Sequence, residues 1–134
     1  MEGIKKLNQV HKILDFHVTN NPDNVSVSVD SVSYTNTDIF SKVLSLVGLL
    51  KENKVTSGDR IAYLAKNSSE FIELMYASSI LGLVMVPINF RLAYEEVKFI
   101  IQDSGSKIII FGDEFKELVE KLNADKTDLH LSLG

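Results

Sequence analysis

Asn67, Asn89 and Arg91 are the polar residues of this 134-residue chain best placed to meet a ligand. They follow two short apolar runs, Arg60 to Ala65 and Leu83 to Val86, that read as β-strands. In open α/β sheets the ligand cleft lies beyond the carboxyl ends of the strands. Two carboxamides and a guanidinium there can hydrogen-bond a bound molecule. That chemistry is recognition, not bond making. The alternative is architectural: Asn67 forms a turn, and Asn89 and Arg91 tie their loop to neighbouring backbone.

Groups for bond-making chemistry do not assemble. The chain has no cysteine, which excludes a disulfide, a thiolate nucleophile and a thiolate metal site. His11 and His17 are six apart on one helical stretch and share no face, so they make no HxxxH metal pair. With His130 they read as structural or surface residues. No GxSxG elbow presents a serine, and no Ser-His-Asp arrangement can be built. Glu95-Glu96, Asp113-Glu114, and Glu117 with Glu120 read as helix-start charges and solvated faces. Neither GxGxxG nor a Walker loop occurs, and the scattered glycines from Gly3 to Gly134 read as turn or helix-end residues. Tyr34, Tyr63, Tyr76 and Tyr94 lie in or beside apolar elements and read as core residues with a polar tip. No catalytic residue and no metal ligand is assigned.

The elements that position the loops follow from periodicity. Ile4 to Val18 has helical apolar spacing and ends at the turn cluster Asn20 to Asp23. Val25 to Val29 alternates as a half-buried strand, Asp30-Ser31 breaks it, and Val32 to Tyr34 returns as the second arm of a hairpin. Thr35 with Asp38 resembles a capping box, opening a helix from Asn36 to Asn53. After the turn Thr56 to Asp59 comes the strand Arg60 to Ala65. Ser68 or Ser69 then caps a helix, Glu70 to Leu81, that is apolar almost all round and therefore buried on more than one side. Gly82 closes it. Leu83 to Val86 reads as a parallel strand covered on both faces, with Pro87 ending its ladder. Ile88 to Leu92 is a loop. Ala93 or Tyr94 opens a helix to Asp103, with Glu95 and Glu96 in its first turn and Val97, Ile100 and Ile101 inward. Lys107 to Phe111 is the next strand, Glu114 to Leu122 the last helix, and Asn123 to Gly134 has no strong period.

Strands alternating with helices give an α/β fold: a mostly parallel sheet with flanking helices and a small N-terminal hairpin. Residues 1–134 are expected to form a single domain or lobe. The formal net charge of −4, with no basic stripe, argues against a nucleic-acid partner. The longest apolar run, Ile80 to Ile88, is far shorter than the roughly 20 residues that span a bilayer. The N-terminus lacks the apolar core of a secretory signal. A cytoplasmic location is expected.

The segments Val32-Ser33-Tyr34-Thr35 with Asp38, Gly58-Asp59-Arg60-Ile61-Ala62, Asn67-Ser68 with Glu70-Phe71, Gly82 to Asn89 with Arg91-Leu92, and Asp103-Ser104-Gly105 with Lys107 to Ile110 occur in that order. In order and spacing, from about Pro22 to Leu122, the chain resembles the N-terminal region of the adenylate-forming enzymes, the acyl-CoA synthetase and AMP-binding superfamily. The resemblance implies the N-terminal lobe of that fold. It implies, for the complete enzyme, attack of a carboxylate on ATP to give an acyl-adenylate, then transfer to a thiol acceptor, usually coenzyme A, with magnesium accompanying ATP. The acid, ATP and coenzyme A would be its partners.

The Ser/Thr/Gly-rich phosphate loop ending in Lys-Gly, the Tyr-x-Thr-Gly-Asp segment and the C-terminal lobe with its lysine do not occur here. No catalytic residue is carried over, no cofactor is assigned to these 134 residues, and the chain alone is expected to be inactive. In some members, residues after the strand matching Ile108–Phe111 approach the coenzyme A nucleotide, which adds Lys116 as a candidate, with Lys121 nearby. Glu117 and Glu120 beside them argue the other way. Two other readings are a standalone, non-catalytic α/β binding or interaction module and a small doubly wound ligand-binding domain outside the family. A truncated lobe would expose apolar surface, so homo-oligomerisation is expected.

Overall fold

The computed structural model describes residues 9–125 and 131–133. Gly3, His130, Gly134 and residues 4–8 of the expected first helix lie outside them. The elements are α1 (Val10–Asn20), β1 (Val25–Val29), β2 (Val32–Thr35), α2 (Asn36–Glu52), β3 (Arg60–Leu64), α3 (Ser69–Leu81), β4 (Val84–Pro87), α4 (Tyr94–Ser104), β5 (Ile108–Phe111), a 3-10 turn (Asp113–Phe115), α5 (Lys116–Ala124) and β6 (Leu131–Leu133). They form two compact units. Unit 1 holds the described residues up to Val55 together with Ser68–Gly82; unit 2 holds Thr56–Asn67 and the described residues from Leu83 onward.

Unit 1 contains α1, the β1–β2 hairpin, α2 and α3. Gln9 is extended, so α1 begins at Val10 among the described residues. It ends at Asn20, beyond the expected Val18. The Thr19 hydroxyl donates to the Asp15 carbonyl at 2.8 Å and the Asn20 amide to the Phe16 carbonyl at 2.7 Å, so the turn-forming side chains complete the last turn. The hairpin turn places both Asp30 (φ 48°) and Ser31 (φ 67°) in the left-handed region. That is the geometry of a tight turn matched to strand twist, here without the usual Asn-Gly or Asp-Gly pair.

The capping box at α2 is present: the Asp38 N–H donates to Thr35 Oγ1 at 3.1 Å and the Thr35 N–H donates to Asp38 Oδ2 at 2.9 Å. Ile39, Val43, Val47 and Leu50 form the buried stripe of α2 at helical spacing. On α3, Phe71, Ile72, Met75 and Tyr76 are half-buried on either side of Leu74 and Ala77, as an all-round apolar helix requires. Gly82, at φ 70°, ends α3 in the left-handed conformation that glycine adopts without strain.

Unit 2 is built on a four-stranded, all-parallel sheet in the order β4-β3-β5-β6. Ala62 and Leu64 of β3, Ile109 of β5, Val97 and Ile101 of α4, and Val119 and Leu122 of α5 pack into one core with Ile88. Burying a side chain of this size contributes about 1.5–3 kcal/mol. Gly58, at φ 89°, sits in the turn closed by Asp59 N–H to Thr56 O at 3.1 Å, a conformation other residues rarely adopt. The Gly-Asp-Arg signature is therefore a strand-entry device. Asp59 Oδ2 accepts the Thr56 N–H at 2.9 Å, and Oδ1 lies 3.4 Å from the Lys107 ammonium.

The β4 ladder ends at Pro87, opposite Tyr63, as expected of a residue with no N–H to donate, and the Ile88 N–H reaches the Tyr63 carbonyl at 2.9 Å. β4 is an edge strand of the described sheet. One expectation is corrected: β4 is not covered on both faces, since Val84 is 47% exposed and Met85 and Val86 are only half-buried. The tail, which has no strong period, contributes a strand, β6, paired with β5 from Ile108↔Leu131 to Ile110↔Leu133.

Candidate functional site

Parallel register brings the carboxyl ends of the strands to one edge of unit 2. Tyr63 stands opposite Pro87, and Leu64 opposite Phe111, so the segments that follow β3, β4 and β5 emerge side by side. Asn67 lies in the bend after β3, Asn89 and Arg91 lie in the loop after β4, and Lys116 opens α5 after the 3-10 turn. All four are exposed. Strand order reverses direction at β3, with β4 to one side and β5 and β6 to the other, the kind of position at which open α/β sheets hold ligands.

Each candidate has a definite local setting. Asn89 Oδ1 accepts the Arg91 N–H at 3.0 Å, and the Asn89 carbonyl accepts the Leu92 N–H at 3.1 Å. Asn89 thus shapes the loop, as the architectural alternative holds. The Arg91 guanidinium carbon lies 5.4 Å from the Phe90 ring centroid. This weak cation–π contact leaves the guanidinium in solvent. The Lys66 ammonium is 4.0 Å from the Glu114 carboxylate, joining the segments after β3 and β5 by an exposed pair worth about 0–1 kcal/mol.

Lys121 belongs to another constellation. Its ammonium sits 3.9 Å from the Tyr94 ring centroid, the Tyr94 hydroxyl donates to the Asp125 carboxylate, and the Lys98 ammonium is 3.6 Å from Asp125 Oδ2. Loss of solvent around it, reinforced by the Asp125 carboxylate, pushes the Tyr94 hydroxyl up to about 12. Hydrogen bonding from Tyr94, with help from Lys98 and Lys121, holds Asp125 below the usual carboxylate range. Sequence reading missed this cluster. Its signal is the i, i+4 spacing of Tyr94 with Lys98 and of Lys121 with Asp125. It ties the start of α4 to the end of α5 and so fixes the crossover that feeds the site edge.

Burial of Glu73 in unit 1 was also missed. This glutamate is 7% exposed, accepts a hydrogen bond from Ser69 Oγ at 3.2 Å and lies 4.0 Å from the Lys42 ammonium. Burial outweighs those partners and raises its carboxyl above the ordinary value. His11 donates its backbone N–H to Ser79 Oγ at 3.1 Å, and its Nδ1 lies 2.9 Å from the same oxygen, which fits the structural role read for it.

The donor set at the sheet edge suits polar or anionic contacts. Among the described residues, no group of three His, Cys, Asp or Glu side chains could hold a metal ion. Asn67, Asn89, Arg91 and Lys116 supply side-chain donors after three strands and include no carboxylate, so they make no ligand set for magnesium. Among the described residues no helix is long and apolar enough to cross a membrane.

The family described as AMP-binding enzyme matches residues 14–133. A fatty acid–[acyl-carrier-protein] ligase of Streptomyces coeruleorubidus is 33% identical over 119 residues, covering 89% of this chain and 23% of that protein. A long-chain-fatty-acid–CoA ligase of Mycobacterium tuberculosis is 45% identical over 82 residues, covering 61% of this chain and 15% of that one. The solved fatty acyl CoA synthetase of Mycobacterium tuberculosis superposes with a TM-score of 0.88 at 31% identity, covering 96% of this chain and 27% of its own. The chain thus spans less than a quarter of the length of these two sequence relatives.

Proposed function

The chain belongs to the AMP-binding enzyme family, and we propose that it serves as the N-terminal scaffold of an ATP-dependent acid–thiol ligase. That ligase would convert a carboxylic acid to an acyl-adenylate and pass the acyl group to the thiol of coenzyme A or of a carrier protein. The observation that carries this reading is likeness along nearly the whole chain to fatty acyl ligases, in sequence and in fold. Residues 1–134 would supply the sheet and loop geometry, while the residues that handle ATP and magnesium lie elsewhere in the ligase. Asn67, Arg91 and Lys116 would be the side chains of this part that face ligand, with Asn89 shaping the loop that presents Arg91. Coenzyme A, whose phosphates suit exposed cations, is the substrate they fit best. A cytoplasmic location accords with the acid, ATP and coenzyme A that such an enzyme uses.

Calorimetric titration of purified 1–134 with magnesium-ATP, and separately with coenzyme A, tests the division of labour. Heats no larger than dilution are expected for ATP. Stoichiometric ATP binding would contradict the scaffold reading and favour a standalone binding module.

A further inference from the structure

The segment that carries Arg91 alternates along its length. Phe90, Leu92 and Tyr94 are half-buried against the core of unit 2, while Asn89, Arg91 and Ala93 face solvent. Backbone donors of this segment are bonded in succession. The Ile88 N–H donates to the Tyr63 carbonyl at 2.9 Å, the Arg91 N–H to Asn89 Oδ1 at 3.0 Å, the Leu92 N–H to the Asn89 carbonyl at 3.1 Å, and the Ala93 N–H to Glu96 Oε2 at 2.8 Å. The Arg91 side chain therefore projects from a backbone that is already held.

Of these four bonds, the one to Glu96 crosses the junction between the loop and α4. Ala93 is the N-cap of α4, and its methyl group cannot accept a bond from the first turn. The helix therefore keeps half of a capping box, in which Glu96 reaches back to the N-cap N–H. The Glu96 and Val97 N–H groups go to the Ala93 carbonyl at 3.1 and 3.0 Å, and Val97 is fully buried. Glu96 thus links the exposed loop to a turn anchored in the core. Its charge works the other way, since a carboxylate near Arg91 repels an anionic ligand. Geometry and charge have opposite signs here, so a measurement can separate them.

We infer that Glu96 is a positioning residue for Arg91: its bond to the Ala93 N–H holds the Asn89–Ala93 loop in the conformation that offers the guanidinium to a phosphate of coenzyme A. A guanidinium presented by a fixed backbone loses less freedom on binding than one that must be ordered first. The inference rests on the reading that Arg91 faces coenzyme A, and it adds a residue which that reading does not contain.

The test compares wild-type 1–134 with Glu96→Ala, Glu96→Gln and Glu95→Ala, by amide hydrogen exchange and by calorimetric titration with coenzyme A. Glu96→Ala should speed exchange at residues 91–93 by at least about fivefold while β3 and β5 stay protected. It should weaken coenzyme A binding by about three- to tenfold. Glutamine keeps an acceptor oxygen at the same reach without the charge, so Glu96→Gln should restore both readouts. Glu95→Ala removes the same charge one residue away without touching the bond, and should bind coenzyme A no more weakly than wild type. Tighter binding by Glu96→Ala, the result of charge removal alone, overturns the inference. So does unchanged exchange at residues 91–93 in that variant, or failure of glutamine to restore it. Absence of coenzyme A binding by the wild type would sink the ligand reading of Arg91 and the inference together. Normal wild-type binding with no effect of Glu96→Ala would sink the inference alone.

Discussion

Unit 1 and unit 2 treat apolar surface in opposite ways. Of the ten large apolar side chains left exposed among the described residues, eight are in unit 1: Val10, Ile13, Phe16, Val25, Val32, Leu44, Leu49 and Ile80. Unit 2 exposes Val84 and Phe99. The parallel sheet gives unit 2 a face on which α4 and α5 can bury Val97, Ile101, Val119 and Leu122 together. In unit 1, α1 buries Leu14 while Val10, Ile13 and Phe16 stay in water, and the isolated two-stranded hairpin has no third strand among the described residues. One half of the chain completes its own core, and the other half carries an apolar surplus suited to a neighbour. One acid stands apart as well. Asp59 and Asp125 in unit 2, like Asp38 and Glu70 in unit 1, are held low by hydrogen bonds and nearby lysines, whereas burial raises Glu73 in unit 1.

Ile109→Ala removes a fully buried side chain from the central strand of unit 2 and should destabilise the chain by about 2–5 kcal/mol in urea unfolding. A loss below about 1 kcal/mol would mean that unit 2 is not the stabilising half. In unit 1, Thr35→Ala removes the hydroxyl that caps α2 and should lower stability by about 1 kcal/mol, read as a shift of the same transition.

Glu73→Gln sharpens the electrostatic contrast. Because its folded carboxyl is raised above the ordinary 4.5, Glu73 favours folding below that value, and the benefit is lost as pH rises through the higher folded value. Asp38, Asp59, Glu70 and Asp125 are held low, so their contributions are present above their unfolded values and fade on acidification. The variant should therefore gain stability relative to wild type in melting curves as pH rises above about 4.5. A difference that stays constant as pH rises would show that burial does not raise the Glu73 carboxyl.

The smallest effect on stability is expected for the double change Leu44→Ser with Leu49→Ser, within about 0.5 kcal/mol, because both side chains already face water. Its larger effect should be on association. We expect 1–134 to self-associate in light scattering at high concentration, and the double variant to do so less than Phe99→Ser. A monodisperse wild-type monomer would contradict the idea that the surplus of unit 1 seeks cover.

The fold was legible wherever local chemistry and the final structure agree. The Thr35–Asp38 box, the Gly82 helix end and the apolar strands at Ile61 and Ile108 each act through near neighbours, and each stands where the sequence placed it. β6 was illegible because three residues, Leu131–Leu133, carry no periodic signal and are specified by pairing with β5. Pro87 was readable as the end of β4, because a residue with no N–H to donate is tolerated at a strand end on the sheet edge. At the candidate site, the positions of Asn67, Asn89, Arg91 and Lys116 after their strands were readable from element order. That Asn89 ties its loop to neighbouring backbone was one of two readings, and the 3.0 Å bond to the Arg91 N–H supports it. The Tyr94–Asp125 contact and the burial of Glu73 depend on how helices pack, which spacing along one helix does not reveal.

The central claim is that these 134 residues are scaffold and that adenylation chemistry lies elsewhere in the ligase. Its most direct test is release of pyrophosphate by purified 1–134 supplied with magnesium-ATP and, in turn, a long-chain fatty acid and an aromatic acid. No acid-dependent pyrophosphate above the protein-free control is the predicted result. Acid-dependent release that scales with the concentration of 1–134 would contradict the account.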